Sequence, residues 1–494
     1  MIFNSIQFVL FFIVITTAYF LIPHRFRWLL LLLASCYFYM AFIPIYILIL
    51  AGTIIIDYFA GILIENSEGK RKRLFLIISI ISNIGILAFF KYFNFFIDNI
   101  NHFANLIHWN YSLSLLSILL PIGLSFHTFQ ALSYTIEVYR GKQKAERHFG
   151  IYALYVMFYP QLVAGPIERP QNLLHQFHEK QSFDVARVTE GLKRMTWGFF
   201  KKIVVADQLA MIVNIVYANP HGFNGPTLIM ATVLFAIQLY CDFSGYSDIA
   251  LGSAQVMGIR LMENFERPYF SKSIAEFWRR WHISLSSWLR DYVYYPIAFH
   301  SKNPTRAKLY VAIIFTFFLS GLWHGAGWNY VIMGLVFGFY ISFSEITKKY
   351  RNAFIVKIKL NNYPTLLRYL RIITTFVLVC IGWIFFRVKT IGDAWYILTH
   401  WWVGLGDFLT HLYSYYTWKN LFSLSRLITK SDFIICILGV AVLFLADMAG
   451  RRLAIWKILS TKPWYVRWFW YYATTLAIVI LARLGAQEFI YFQF

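Results

Sequence analysis

Apolar segments of nearly bilayer length recur along the whole chain, and nothing else in the sequence constrains the fold as strongly. A helix crossing a hydrocarbon core of about 30 Å needs about 20 mostly apolar residues. Segments of this kind lie at 4–22, 28–43, 45–64, 74–90, 113–136, 151–164, 196–217, 227–253, 309–322, 326–344, 368–387, 433–448 and 466–485. Those at 151–164 and 309–322 are too short to span alone. The expected fold is all-α, a polytopic membrane protein with about 10–12 transmembrane helices plus re-entrant segments. Only 14% of residues are charged, against about 25% in soluble domains. No long polar block interrupts the apolar segments, so residues 1–494 read as a single membrane-embedded domain.

The formal net charge is +22. The basic residues gather in short loops between apolar segments, which suits topology signalling and anionic headgroups and not nucleic acid. Arg25 and Arg27 follow the first segment, Lys70 to Arg73 the third, and Arg140, Lys142, Lys144 and Arg147 the fifth. The intervening loops are poor in positive charge. Cytoplasmic loops carry the excess of Lys and Arg, so these three face the cytoplasm and the N-terminus lies outside. The first segment lacks a basic leader and a small-residue cleavage site and reads as a retained helix. Cys36, Cys241, Cys380 and Cys436 are far apart, in apolar surroundings, with no metal-ligand spacing. Residues 401–430, rich in Trp, Tyr and Leu, suit an interfacial helix or cap.

Four polar islands interrupt this pattern. "FWRRWHISLSSWLRDYVYY" (277–295) has Trp278, Trp281, Leu285, Trp288 and Tyr292 at helical spacing. Arg279, His282, Ser286 and Arg290 fall on another face. Two placements fit: an interfacial helix with its tryptophans in lipid, or a helix turned into a water-filled cavity. "FLSGLWHGAGWNY" (318–330) sits in an apolar run from 309 to 344, too long for one straight span, so the run must break near Gly321, Gly325 and Gly327. His324 then lies at membrane depth, as a functional group or as a neutral core histidine. "YCDFSGYSDIA" (240–250) places Asp242 in an apolar helix, where it must line a cavity, be protonated or pair, with Arg279 or Arg280 as candidate partners. "FYPQLVAGPIERP" (158–170) suits a re-entrant hairpin.

Taken together, the islands resemble the membrane-bound O-acyltransferase family, above all its bacterial branch typified by alginate O-acetyltransferases. The likeness covers nearly the whole chain in order: "MIFNSIQFVLFF", "FYPQLVAGPIERP", "QLYCDFSGYSDIALG", "ENFERPYFSKSIAEFWRRWHISLSSWLRDYVYYPI", "GLWHGAGWNYVIMG", "IGWIFFRV" and "FIYFQF". The resemblance implies helices around a central tunnel in a bacterial inner (cytoplasmic) membrane. It also implies transfer of an acetyl group from cytoplasmic acetyl-CoA toward an acceptor outside. No bound cofactor or metal is expected. The family's signature histidine maps onto His324 and its upstream polar residue onto His282. Trp323, Arg279, Arg280, Asp242 and Ser286 are expected to line the tunnel or its approach.

Acyl transfer to a hydroxyl needs a base, and neutral histidine suits that work near neutral pH. His324 is the expected base or transient acyl carrier. His282 would orient the thioester, stabilise an oxyanion or bind the acceptor. There is no G-x-S-x-G elbow and no cysteine near His324 in sequence. The expected acceptor is an envelope glycan such as alginate or peptidoglycan, and the expected partner a separate extracytoplasmic SGNH-type acetyltransferase or esterase. A teichoic acid D-alanyl transferase shares the "FWRRWH" and "WHG" motifs and is the alternative. A transporter or flippase would show paired broken helices in two halves, and the sequence has one broken histidine segment.

Overall fold

The computed structural model of the chain describes residues 1–109, 112–117, 121–301, 303–411, 413–414, 430–448, 461–481 and 489–490. Among them every regular element is helical. In chain order these include α1 (Ile6–Leu21), α2 (His24–Met40), α3 (Ile47–Glu65), α4 (Gly69–Leu106), α5 (Leu124–Tyr139), α6 (Phe149–Met157), α7 (Tyr159–Leu162), α8 (Pro170–His178), α9 (Val185–Phe199) and α10 (Asp207–Ala218). There follow α11 (Gly225–Val256), α12 (Ile274–Arg280), α13 (Ile283–Leu289), α14 (Tyr295–Ala298), α15 (Arg306–His324), α16 (Trp328–Ile346), α17 (Lys348–Lys357), α18 (Pro364–Arg387), α19 (Ile391–His400) and α20 (Leu405–Thr410). Helices Lys430–Met448 and Trp464–Leu481 complete the described chain. The expected cap at 401–430 coincides in part with α20, and its residues 412 and 415–429 lie outside the described residues, as do 482–488 and 491–494.

Six of the described helices are long and apolar enough to cross a membrane: Pro44–Glu65, Gly69–Leu106, Gly225–Val256, Arg306–His324, Trp328–Ile346 and Pro364–Arg387. Ile6–Leu21 and Ile434–Met448 are apolar but shorter. Contacts divide the chain into two compact units. One comprises Met1–Met195 and Tyr246–Glu263, the other Thr196–Gly245 and Asn264–Phe494.

In the first unit two boundaries differ from the sequence reading. Helix α4 runs for 38 residues, well past the apolar stretch at 74–90. Its polar continuation has a local purpose. Asn94 exchanges two hydrogen bonds with the backbone of Leu116 (2.8 and 2.9 Å), and Asn101 does the same with Leu113. The two amides satisfy backbone groups of residues that are not helical themselves. Of the expected span at 113–136, the described residues 113–117 and 121–123 are not helical, and α5 begins at Leu124. Gly123 precedes it at φ +79, and a Cβ there would lie 2.8 Å from the Leu162 carbonyl oxygen.

Several buried polar groups in this unit are met by partners. Asp57 accepts from Ser79 Oγ (2.6 Å) and Asn83 Nδ2 (2.8 Å), joining α3 to α4, and Ser79 also bonds Thr135 on α5. The "FYPQLVAGPIERP" segment (158–170) follows α6, forms α7 and the first residue of α8 with irregular backbone between them, and nearly all of it is buried. Glu168 in that segment accepts from the Met262 amide and Asn172 Nδ2, while Gln130 Oε1 receives its own N–H. Arg194 forks between Asp248 (3.0 Å) and Glu263 (2.6 Å), a geometry that suits a guanidinium.

In the second unit the apolar run from 309 to 344 breaks as its length requires. Helix α15 ends at His324 and α16 begins at Trp328, with Gly325, Ala326 and Gly327 between. The two helices pack back to back through glycines. A Cβ on Gly321 would meet the Tyr330 carbonyl oxygen at 2.3 Å, and one on Gly334 the Phe317 carbonyl oxygen at 2.2 Å. Small residues allow this approach in a membrane, where apolar helices gain little from hiding from lipid. Gly334→Ala is therefore expected to force the pair apart at a cost of about 1–3 kcal/mol. Thermal unfolding of the detergent-solubilised protein checks this, with Gly406→Ala, at a position with open space around it, as the neutral comparison.

Candidate active site

The first polar island, 277–295, is two helical stretches and not one. Ser273 caps α12 by accepting the Glu276 N–H. The helix ends at Arg280, Trp281 is extended (φ −106, ψ 128), and His282 is left-handed (φ 44, ψ 55) before α13 starts. A left-handed residue with a Cβ costs about 1–2 kcal/mol and persists only where its surroundings hold it. Here the segment from Asn264 to Glu266 does so. The Asn264 carbonyl accepts the Ile283 N–H (2.9 Å), and the Glu266 N–H donates to the Arg280 carbonyl (2.9 Å). Bonds on both sides of the kink clamp it.

The kink separates residues that an unbroken helix would place together. His282 is fully buried, Arg280 is half-buried, and Arg279 and Arg290 are exposed. The expected shared face of Arg279, His282, Ser286 and Arg290 does not form. Nor do the tryptophans meet lipid: Trp278, Trp281 and Trp288 are buried in protein. Trp281 packs against Trp383 (5.1 Å between ring centroids) and Phe277 (5.5 Å), and Trp278 against Phe337 (5.0 Å). The kink turns Trp281 inward and spends its ring on this cluster. Ser286 Oγ, half-buried, donates to the Trp281 carbonyl (3.1 Å) and so helps hold the break.

The two histidines meet around one indole. The His282 ring stands edge-on to Phe243 on α11 (4.6 Å) and lies 5.6 Å from Trp323. The Trp323 ring is 4.9 Å from that of His324, which also contacts Phe386 on α18 (5.5 Å). His324 is 2% exposed and Trp323 5%, and the imidazoles are close enough for the charge of His324 to act on His282. His282 lies outside the six spans, and burial holds it well below the ordinary histidine value, so it is neutral at neutral pH. Its Nδ1 lies 3.1 Å from Asn264 Oδ1.

Asp242 pairs with neither Arg279 nor Arg280. Its partner is Lys202 (2.6 Å), which also binds Asp207 (2.9 Å). Arg280 instead bonds Glu276 one turn back on its own helix (2.7 Å). The correction follows from the break: α12 is only seven residues long, and its own acid is within reach of Arg280. Lys202 stands in a π-helical turn, Phe200–Ala206, which points both Lys201 and Lys202 inward. Lys201 Nζ donates to Ser244 Oγ (2.9 Å). The free oxygen of Asp242 accepts the Ile490 N–H (2.8 Å), tying the end of the chain to α11. Phe489 beside it packs on Phe243 (5.5 Å).

Asn264, Ser284 and Lys202 were not singled out in the sequence. Asn264 and Ser284 stand in the "ENFERPYF" and "FWRRWHISLSSW" motifs, but asparagine and serine there look like loop and helix surface. Lys202, beside Lys201 in the apolar segment 196–217, belongs to none of the polar islands. Among the described residues, no three or more His, Cys, Asp or Glu side chains are placed to share a metal ion.

Residues 147–385 match the model of the membrane-bound O-acyltransferase family, MBOAT. The chain is 38% identical over 399 residues to the probable alginate O-acetylase AlgI of Pseudomonas aeruginosa, covering 80% of this chain and 74% of that protein. It is 34% identical over 414 residues to the peptidoglycan O-acetyltransferase of Helicobacter pylori, covering 77% and 75%. The likeness to the teichoic acid D-alanyltransferase of Bacillus subtilis is 30% over 282 residues, covering 54% and 69%.

The ion network makes its own prediction. Lys202→Met strands the buried Asp242 carboxylate and the half-buried Asp207 and is expected to destabilise the protein by about 3–5 kcal/mol. Asp242→Asn leaves Lys202 its bond to Asp207 and is expected to cost less. Denaturation of the two purified variants in detergent orders them.

Proposed function

Because the chain belongs to the membrane-bound O-acyltransferase family, whose members are multi-pass membrane acyltransferases, we propose that it moves an acetyl group from cytoplasmic acetyl-CoA across the membrane to O-acetylate a cell-surface polysaccharide. The observation that carries this reading is the pair of buried histidines around Trp323, one of them the last residue of a helix long enough to cross a membrane. A buried ionisable group in so apolar a setting is costly unless it has work to do.

His324 takes the proton of the acceptor hydroxyl. The oxygen attacks the acetyl carbonyl, the carbon–sulfur bond breaks, and the proton passes from His324 to the sulfur, releasing CoA with its thiol. His324 is the last residue of α15, and the carbonyl end of a helix favours the positive charge that this base acquires. Trp323 and Phe386 exclude water beside the imidazole. Ser286 acts through the kink it helps to hold. The exposed Arg279, with Arg280, attracts the phosphates of the donor.

The whole chain, 1–494, works as one membrane-embedded domain in a bacterial cytoplasmic membrane, N-terminus outside, around a central tunnel. The acceptor is an envelope glycan of the alginate or peptidoglycan kind, reached with a separate extracytoplasmic SGNH-type protein. The acetyltransferase relatives are more similar over more of the chain than the D-alanyltransferase is, which favours acetyl over D-alanyl.

The test supplies purified protein with radiolabelled acetyl-CoA, with and without an SGNH-type partner. Acetyl transfer is expected from the wild type, and His324→Ala is expected to lose at least about 100-fold. Equal CoA release by both would remove His324 from the chemistry. Donation only from a D-alanyl carrier protein would replace acetyl by D-alanyl.

A further inference from the structure

The oxygen of Asn264 settles the proton arrangement of His282. Three groups converge on it: the Ser284 backbone N–H (3.3 Å), Ser284 Oγ (2.9 Å) and His282 Nδ1 (3.1 Å). A backbone N–H can only donate, so the atom it meets is the amide oxygen and not the amide nitrogen. An acceptor opposite Nδ1 requires Nδ1 to carry the hydrogen. A neutral imidazole protonated on Nδ1 has its lone pair on Nε2. His282 is neutral where it is buried, and it cannot rotate to exchange its nitrogens without losing this bond and the edge-on contact with Phe243.

We propose that Asn264 is a positioning residue of the transfer reaction: it fixes His282 as the Nδ1–H tautomer, so that His282 serves the reacting groups as a hydrogen-bond acceptor and not as an oxyanion donor. The inference rests on the acetyl-transfer reading. Of the three roles open to His282, stabilising an oxyanion needs an N–H that Nε2 does not have. In this proposal the donor that Nε2 receives, directly or through one water, is the N–H of His324 after that residue has taken the hydroxyl proton. His282 keeps its own proton throughout. It orients His324 and disperses the charge of the transient imidazolium, as the acid of a catalytic triad does for its histidine. Asn264 also bonds the backbone on the far side of the kink, so one residue sets both where the ring sits and which nitrogen is bare.

The titratable groups on the elements packed around His282 are few. His324 on α15 acts on it directly. Asp242, next to Phe243 on α11, is met by Lys202. Glu266 in the clamping segment is exposed. A charge added at position 264 will therefore be read mainly by the two imidazoles.

The experiment compares wild type, Asn264→Asp and Asn264→Ala in acetyl transfer across a pH series, with melting temperature in detergent as the folding control. Asn264→Asp keeps the acceptor and adds a negative charge, so the acidic limb of kcat/KM should move up by about one pH unit or more while transfer at alkaline pH is retained. Asn264→Ala releases the tautomer and is expected to lose about 10–100-fold, as loss of an outer orienting partner does at metal sites. An active Asn264→Asp with an unmoved limb, or a folded Asn264→Ala with wild-type rate, overturns the proposal. If the alanine variant does not fold, the limb of the aspartate variant decides alone. The tautomer is also read without activity, from the 15N shifts of histidine-labelled wild type with His282 assigned by His282→Asn. A bare Nε2 is expected, and a bare Nδ1 overturns the proposal. If the shifts are as expected but no acetyl is transferred, the acetyl reading fails and the tautomer stands.

Discussion

The left-handed backbone at His282 is the constraint on which the surroundings of the two histidines depend. One residue with positive φ turns a would-be amphipathic helix into two short ones. That turn sends Trp281 into an aromatic cluster with Phe277 and Trp383 and leaves the arginines behind at the surface or near it. The kink is unfavourable by itself. It is held because the segment from Asn264 to Glu266 supplies hydrogen bonds to both sides of it, and because the rings it buries repay the local cost. Aromatic pairs add about 0.5–1.5 kcal/mol each beyond their burial, so a few such pairs outweigh one strained residue.

The same logic governs the buried charges. Asp242 lies in a helix of membrane-spanning length and is tolerable as an anion because Lys202 lies 2.6 Å away. Lys202 reaches it because a π-helical turn puts two successive lysines on the inside. Such turns are rare and gather at functional sites. Here the turn places a cation where a regular helix would have turned one of the two lysines elsewhere. The Ile490 amide, brought to the other oxygen of Asp242, sets Phe489 against Phe243, the same ring that His282 stands on. The ion pair thus supports the packing behind the histidine.

Much of this was legible in the sequence. The all-α membrane architecture follows from segment length and the shortage of charge. The break in the 309–344 run follows from arithmetic, and its glycines locate it. His324 stands out because ionisable groups are rare in such surroundings, and His282 is reached through the family resemblance. The break at His282 was not legible, since a one-residue kink leaves Trp278, Trp281, Leu285 and Trp288 at helical spacing, and a non-glycine residue gives no sign of positive φ. The partner of Asp242 was misread for the same reason: a continuous helix would have carried the arginines inward. The length of α4 was not legible either, because Asn94 and Asn101, past the apolar stretch at 74–90, are bonded to the backbone of Leu116 and Leu113. Asn264 was hidden by its ordinariness, because what matters is three donors converging on one oxygen, which composition cannot express.

The two histidines are held in different ways, and the difference fits a division of labour. His282 is fixed by a side-chain bond to Asn264, by Phe243 and by a pinned backbone. These contacts favour one neutral tautomer, with the hydrogen on Nδ1. His324 ends a helix where two glycines follow within three residues, and its described neighbours are aromatic rings. A base must change its charge during the reaction and needs surroundings that tolerate both forms, which a helix carbonyl end and aromatic faces provide. A group that orients the base needs the opposite, a single state that does not relax when the charge appears. Rigidity at His282 and tolerance at His324 are two halves of the same requirement, and both originate in local backbone: a clamped kink on one side, an interrupted helix on the other.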